Sequence, residues 1–353
     1  MSIVARQIDF LIVGGGIAGR LIQLELESRG QSTLVYDQAN NNRSSAVAAG
    51  LANPLVGKYF TVGWRVPEFF SDLRSFYEDI ENRLDASFFR PCEMKRIIAT
   101  PGEQNIWLSK QSKPKYEAIC SFAHEDITGM ATPYGVISVH QGGELKTEDF
   151  MNACAAKLPT MDEVFNHREL DLDTSKYGDI SFKGIVFSEG YEVINNPLFR
   201  DLVKLIPTKG ELLEIETDLD FRGEIYLGGV FIQHRHNKVW RVGSTYARDD
   251  LSLNPTEEKK QDMVTKLDRV IRVPYRVIKH LTGTRPATSD RRPLLGVHPK
   301  YPNAYIFNGM GSKAVSMAPV LSQEMVDFML SRSPILPEAN ITRFDEKMDQ
   351  PIA

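Results

Sequence analysis

Several groups of residues in this 353-residue chain have types and spacings that could do chemistry. Gly14, Gly16 and Gly19 form GxGxxG, and Asp37, with Gln38 beside it, stands 18 residues past the last glycine. Gly14 permits a tight turn, Gly16 lets the backbone approach a ligand, and Gly19 lets the new helix pack against the sheet. That helix starts at Ile17 and Ala18 and presents free backbone N–H groups and its positive dipole end. That arrangement receives a pyrophosphate. A carboxylate ending the next strand can accept hydrogen bonds from an adenosine ribose. Asn308-Gly309-Met310-Gly311-Ser312-Lys313 makes a second glycine turn, which would aim a helix N-terminus, reinforced by Lys313, at an electron-rich atom of the same elongated ligand. Ala46, Ala48, Ala49 and Gly50 would let the backbone approach a large planar ligand, and equally suit a helix start packed on a sheet. Lys58, the first cation after the turn Asn53-Pro54 to Gly57, is a candidate for substrate or oxygen contact or a solvated surface residue.

The elements that must position these residues can be read from periodicity. Phe10 to Val13 is an unbroken apolar run, expected of a parallel strand covered on both faces. Leu21, Leu24 and Leu26 give the following helix its apolar surface, Gly30 stops it, and Thr33 to Tyr36 form the second strand. The run Gln38 to Ser45 is polar and loop-like. From Trp64, apolar residues recur at three and four through Ile80, predicting one amphipathic helix. Phe88 to Thr100 and Tyr134 to His140 read as β-structure, Glu103 to Ser112 as helix. Thr147 is a plausible N-cap for a helix over Glu148 to Lys157, followed by a short strand around Val164 and Phe165. Ile185 to Phe187 form another apolar strand. Gly210 to Ile215, Ile225 to Leu227, Val230 to His234 and Val239 to Gly243 read as antiparallel strands, and Asn254, Pro255 and Glu257 as N-cap, N1 and N3 of a further helix.

A chain of this length predicts two lobes. Its 42% hydrophobic and 25% charged content is ordinary for a globular protein, and a net charge of −4 disfavours nucleic acid as the main partner. No apolar segment is long enough to cross a bilayer, and the first residues show no signal-peptide pattern, so a cytoplasmic protein is expected. Cys92, Cys120 and Cys154 are scattered and odd in number, as expected of reduced thiols, and no metal-ligand spacing is evident.

Taken in order, IVGGGIAG with YD, AVAAGLANP, GIVFSEG, TKGELLEI, VGSTY, GTRPATSDRRPLLG and NGMGSKAVSMAP resemble the D-amino-acid oxidase and glycine oxidase family of FAD-dependent oxidoreductases. The resemblance implies an α/β fold, α+β overall. A Rossmann-like FAD-binding domain of glutathione-reductase type (1–83, 144–209 and 282–345) would be interleaved with an antiparallel-sheet substrate or cap domain (84–143 and 210–281). It assigns Gly14, Gly16 and Gly19 to the pyrophosphate and Asp37 to the ribose. Ser45, Ala46, Ala49, Gly50 and Leu51 would line the flavin side, and Val164 would touch adenine by its backbone. Glu189-Gly190 stands where relatives often carry a small residue before the glycine, so Glu189 is a departure. Gly309, Gly311, Ser312 and Lys313 would face the pyrimidine end of the flavin.

Arg285 matches the family arginine that grips a substrate carboxylate, a task suited to a planar guanidinium. Phe231 stands where glycine-oxidase-like enzymes place a substrate tyrosine. The neighbourhood of Arg285 holds no cysteine or histidine over Leu281 to Leu295, so the FAD is expected to be noncovalent. The implied reaction is oxidation of the C–N bond of an amine or amino acid by hydride transfer to flavin N5, then imine hydrolysis, with oxygen or another acceptor as electron sink. A tRNA-modification oxidoreductase of the same family, a non-catalytic flavin-binding protein and simple NAD binding are the alternatives.

Overall fold

The computed structural model describes residues 6–38 and 44–347; residues 39–43, most of the polar run expected to loop out, lie outside the described residues. Arg6–Val13 is a strand, Ile17–Ser28 a helix and Thr33–Tyr36 the next strand. Leu11 and Ile12 are fully buried and pair in parallel with Leu34 and Val35. The uninterrupted apolar run follows from this, because both faces of the strand are covered. Leu21, Ile22 and Leu26 of the helix are also fully buried, each worth about 1.5–3 kcal/mol relative to an exposed side chain.

Around this unit the sheet runs Thr160–Met161, Thr33–Tyr36, Arg6–Val13, Ile180–Phe187 and Ala304–Asn308, all parallel, with Leu294–Val297 antiparallel on Ala304–Asn308. Val13 pairs with Phe187, and Phe187 with Ile306. The glycine turns that follow Val13 and Asn308 therefore leave the sheet at one level, beyond the carboxyl ends of parallel strands, where open α/β sheets bind ligands. The helices Ile17–Ser28, Thr147–Lys157 and Ala314–Ser331 share one apolar core on one face. Phe165, Phe187, Phe199 and Phe344 belong to a separate core on the other.

A second eight-stranded sheet runs in the order Tyr275–Arg285, Thr208–Thr217, Val239–Gly243, Phe231–His236, Ile225–Leu227, Met94–Ile97, Val136–Val139 and Cys120–Ala123. One parallel pair, Ile225–Leu227 with Met94–Ile97, interrupts an otherwise antiparallel order. Strand alternation divides its residues. Leu213, Ile215, Trp240, Val242 and Ile232 pack with Met263 and Leu267 of the helix Glu257–Asp268, while Leu212, Gly243, Phe231 and Leu227 face the other way.

Four local expectations are corrected. The helix from Trp64 is two helices, Val66–Ser71 and Leu73–Leu84. At the break the Ser71 hydroxyl donates to the Asp72 carboxylate (2.8 Å) and the Ser75 hydroxyl to the Asp72 carbonyl (3.0 Å), local bonds that compete with the helical ladder. Val164 and Phe165 form no strand: Thr160–Met161 takes the edge position beside Thr33–Tyr36, and Phe165 is buried by stacking on Tyr177 at 4.3 Å. The helix of 257–268 is capped by the Thr256 hydroxyl, which accepts from Lys259 N, and not by Asn254. Lys146, not Thr147, occupies the cap position of Thr147–Lys157.

Candidate functional site

Between the two sheets lies a cavity of about 1620 Å³, larger than the roughly 300–1,000 Å³ that suits a drug-sized molecule. Its first end is the glycine turn. Gly14 adopts φ +98°, and a Cβ there would stand 2.5 Å from the Ser188 carbonyl oxygen. A Cβ at Gly19 would stand 1.8 Å from the carbonyl oxygen of Gly14, so this glycine lets the helix pack against the turn. Gly19 does not line the cavity. Gly14, Gly16, Ile17, Ala18, Asp37 and Gln38 do. Gly16 caps the helix without a side chain, and the Ser45 hydroxyl accepts a 3.3 Å hydrogen bond from Ile17 N.

The same end holds Val164, Glu189 and Gly190 together with Glu163, His167 and Glu192. Val164 is largely exposed. Glu189 is held where a small residue was expected: His167 Nε2 lies 2.8 Å from one carboxylate oxygen, and Asn196 donates to the other at 2.7 Å. Asn308 donates to the Gly190 carbonyl at 2.9 Å, which ties this end to the second turn.

The small-residue segment forms one wall. Ser45, Ala49, Gly50 and Leu51 line the cavity, whereas Ala46 packs into the core beneath. The second sheet fixes this wall by its polar side chains. Arg241 donates to the carbonyls of Val47 and Ala48 at 3.3 Å, and Gln233 to that of Ala49 at 2.7 Å. Gly50, at φ +68°, approaches the Leu145 carbonyl so closely that a Cβ would stand 1.8 Å from it.

At the far end Gly309, Gly311, Ser312 and Lys313 line the cavity. Gly311 N donates to the Pro286 carbonyl at 3.1 Å, so the second turn is tied to the segment carrying Arg285. Burial pushes the Lys313 ammonium below its ordinary pKa, helped by the nearby charges of Arg292 and Arg291.

Arg285 donates to the Ser244 hydroxyl (2.8 Å) and the Thr245 carbonyl (3.1 Å), and lies 4.4 Å from the Tyr246 ring centroid. Gly210 leaves room for it, since a Cβ there would overlap the guanidinium at 2.2 Å. Burial pushes its pKa down, and it forms no ion pair with a carboxylate among the described residues.

Two buried ions anchor the loop that supplies Ser244 and Tyr246. Lys209 donates to Asp250 (2.6 Å) and the Asn254 carbonyl (2.6 Å), and Glu211 accepts from Thr256 N (2.9 Å) and lies 2.8 Å from His280 Nε2. Lys58 lines the mouth as an exposed residue, 4.9 Å from the Tyr59 ring, and Phe231 lines the roof.

The expected site residues are thus gathered around one cavity, Gly19 and Ala46 excepted. Ser244, Tyr246, Arg248, Arg291 and Arg96 line it without having been expected. Charge is divided along its length. Asp37, Glu163, Glu189 and Glu192 mark the first end, and Lys58, Arg96, Arg248, Arg285, Arg291 and Lys313 the other, with Glu103 beside Arg96.

A sequence model described as DAO, FAD dependent oxidoreductase, matches residues 9–328. The chain belongs to this family. It is 23% identical over 95% of its length to a bifunctional ThiO/ThiG protein of Nostoc sp., and 23% identical over 93% to the tRNA 5-methylaminomethyl-2-thiouridine biosynthesis bifunctional protein MnmC of Shewanella amazonensis. These matches cover 55% and 57% of the relatives, so the chain spans about half the length of the curated relatives it matches. Glycine oxidase from Bacillus cereus shares the fold, with a TM-score of 0.77 at 15% identity, covering 93% of this chain and 96% of that one.

The family is one of FAD-dependent oxidoreductases, and the cavity of this chain fits that cofactor. A backbone cradle that a side chain at Gly14 would fill, a helix N-terminus, and a wall of small residues are the features an elongated, planar, pyrophosphate-bearing molecule requires. Among the described residues no helix is long and apolar enough to cross a membrane. Cys92, Cys120 and Cys154 are buried, with thiols raised by burial to about 11, 12 and 12.

Proposed function

We propose that the protein oxidises the C–N bond of a small amine or amino acid that carries a carboxylate. The observation carrying this reading is Arg285: a guanidinium held on the cavity roof by Ser244 and Thr245, with no carboxylate against it among the described residues. A buried cation of this kind is costly unless an anion pairs with it, and two coplanar N–H groups suit a carboxylate. FAD, when bound, supplies the hydride acceptor.

The chain supplies orientation. Gly14, Gly16, Ile17 and Ala18 would hold the pyrophosphate, Asp37 and Gln38 the ribose, and Val164, Glu189 and Gly190 the adenine side. Ser45, Ala49, Gly50 and Leu51 would line the flavin, and Gly309, Gly311, Ser312 and Lys313 would offset negative charge at its pyrimidine end. Arg285 would hold the substrate by its carboxylate and so orient it in the cavity. No side-chain base is required if the amine arrives neutral, and the imine released hydrolyses in water. The cofactor would be held without a covalent bond, since Leu281 to Leu295 contain no cysteine or histidine to attach it.

The test is an anaerobic screen of flavin-loaded protein against amines and amino acids, read as bleaching of the flavin bands. Failure of every carboxylate-bearing amine to bleach the protein would overturn the proposal. Turnover with oxygen compared with an artificial dye separates oxidase from dehydrogenase. Similarity to MnmC favours a second reading, oxidation of a modified tRNA nucleoside, which predicts bleaching by aminomethyl-uridine compounds and not by free amino acids.

A further inference from the structure

We propose that the substrate carries a second anionic group, received by Arg96 at the opposite side of the cavity roof from Arg285. This deepens the amine-oxidising reading and rests on it. The roof is one face of the second sheet, and its register can be traced residue by residue. Leu212 pairs with Gly243, Gly243 with Phe231, Phe231 with Leu227, and Leu227 with Arg96. Residues directly opposite in adjacent strands present side chains to the same face, and all five line the cavity.

Apart from Arg96 the row is apolar or glycine, so it offers a ligand a smooth surface with a charge at its limit. Gly243 precedes Ser244, the residue that holds the Arg285 guanidinium at 2.8 Å. From the strand of Gly243 to that of Arg96 is three strand spacings, about 14 Å. The Arg96 side chain shortens that gap, leaving space for a small molecule with acidic groups at both ends.

Arg96 is poorly matched to a structural role. Its side chain is 17% exposed and its nearest carboxylate, Glu103, is 3.9 Å away. Glu103 is already committed to its own helix start, accepting from Ala99 N at 2.9 Å while its backbone N–H donates to Thr100 Oγ1 at 3.2 Å. Arg96 Nε is buried with no hydrogen-bond partner, and its guanidinium carbon lies 5.3 Å from the Phe60 ring centroid. Lys95, one residue earlier and on the opposite face, shows the contrast: it is neutralised by Glu93 (3.3 Å) and Glu125 (3.0 Å). A desolvated guanidinium with so little compensation is held at a cost, and an anion entering the cavity would offset that cost. Burial pushes its pKa downward, the direction expected of a cation awaiting a partner.

The probe is a series of linear α,ω-dicarboxylates of four to eight carbons, each compared with the monocarboxylate of the same length. Binding to flavin-loaded protein is measured by calorimetry and by perturbation of the flavin spectrum, neither of which needs turnover. At least one dicarboxylate is expected to bind tenfold or more tightly than its monocarboxylate. Arg96→Met, which keeps the apolar stem, is expected to abolish that preference while leaving monocarboxylate affinity and cofactor content unchanged. Arg96→Lys is expected to retain part of it.

No dicarboxylate preference in the unmodified protein, or an undiminished one in Arg96→Met, overturns the proposal; should that variant not fold, the unmodified protein and Arg96→Lys still decide. If dicarboxylates bind through Arg96 but no amine bleaches the flavin, the anion site stands and the amine reading falls. If amines bleach it without any dicarboxylate preference, the reverse holds.

Discussion

At the first end of the cavity, the helix of Gly19 is packed so tightly on the turn that the backbone excludes a side chain; at the far end, Gly311 of a turn of similar sequence stands in open space near several cations. A Cβ on Gly19 would stand 1.8 Å from a carbonyl oxygen, whereas one on Gly311 would find nothing closer than 3.9 Å. Asp37, Glu163, Glu189 and Glu192 lie around the first, while Arg285, Arg291 and Lys313 lie near the second. Sequence likeness between two glycine turns therefore says little about why the glycines are there. Gly19 permits backbone contact and Gly311 a positive φ, whereas Gly14 and Gly309 combine a positive φ with close packing.

The sharpest way to break this comparison is Gly19→Val. It is expected to destabilise the protein by at least about 3 kcal/mol through overpacking and to lose cofactor, checked by thermal melting and flavin content. Arg285→Ala comes next. It removes the charged hydrogen bonds to a substrate carboxylate, expected to cost about 1.5–3 kcal/mol and so raise KM roughly tenfold to a hundredfold, with flavin content intact. Equal loss of both would make Arg285 a folding residue.

Gly311→Ala, by contrast with Gly19→Val, is expected to cost only about 1–2 kcal/mol, the penalty for a left-handed residue, since φ is +57° and the space is open. A loss as large as that of Gly19→Val would erase the distinction between the turns.

The smallest effect is a pH dependence. Asp250 is lowered from 3.8 to about 2, chiefly by its hydrogen bond from Lys209. Because the folded value lies below the unfolded one, its stabilisation is complete above the unfolded value and is lost as pH falls through about 2. Asp250→Asn is expected to remove that portion of the acid transition, seen in melts between pH 4 and 2, and to weaken the loop bearing Ser244 and Tyr246.

How much was legible depended on the range over which each residue acts. The turn at Gly14 and the helix after it are set by neighbours within a dozen residues, so spacing alone revealed them. The break at Asp72 escaped periodicity because the apolar stripe continues through it while serine and aspartate side chains compete for the backbone. Phe165 was misread as a strand residue because burial by an aromatic partner, Tyr177, leaves the same apolar signature. Gly19 and Ala46 each carried a packing reading beside a cofactor one, because small residues serve both equally well; both are packed and neither lines the cavity. Arg96 carried a faint signal, a cation inside an apolar strand, but Lys95 beside it carried the same one.

The sequence by itself determined the local units: strand, glycine turn and helix at each end of the chain, and the apolar strands between, since these follow from residue spacing and backbone sterics. Only the tertiary structure decided which cations face the cavity. Whether Lys95 or Arg96 looks inward depends on strand register carried across four neighbours, from Leu212 to Arg96. A shift of one residue would exchange the two faces, and no local pattern fixes that choice.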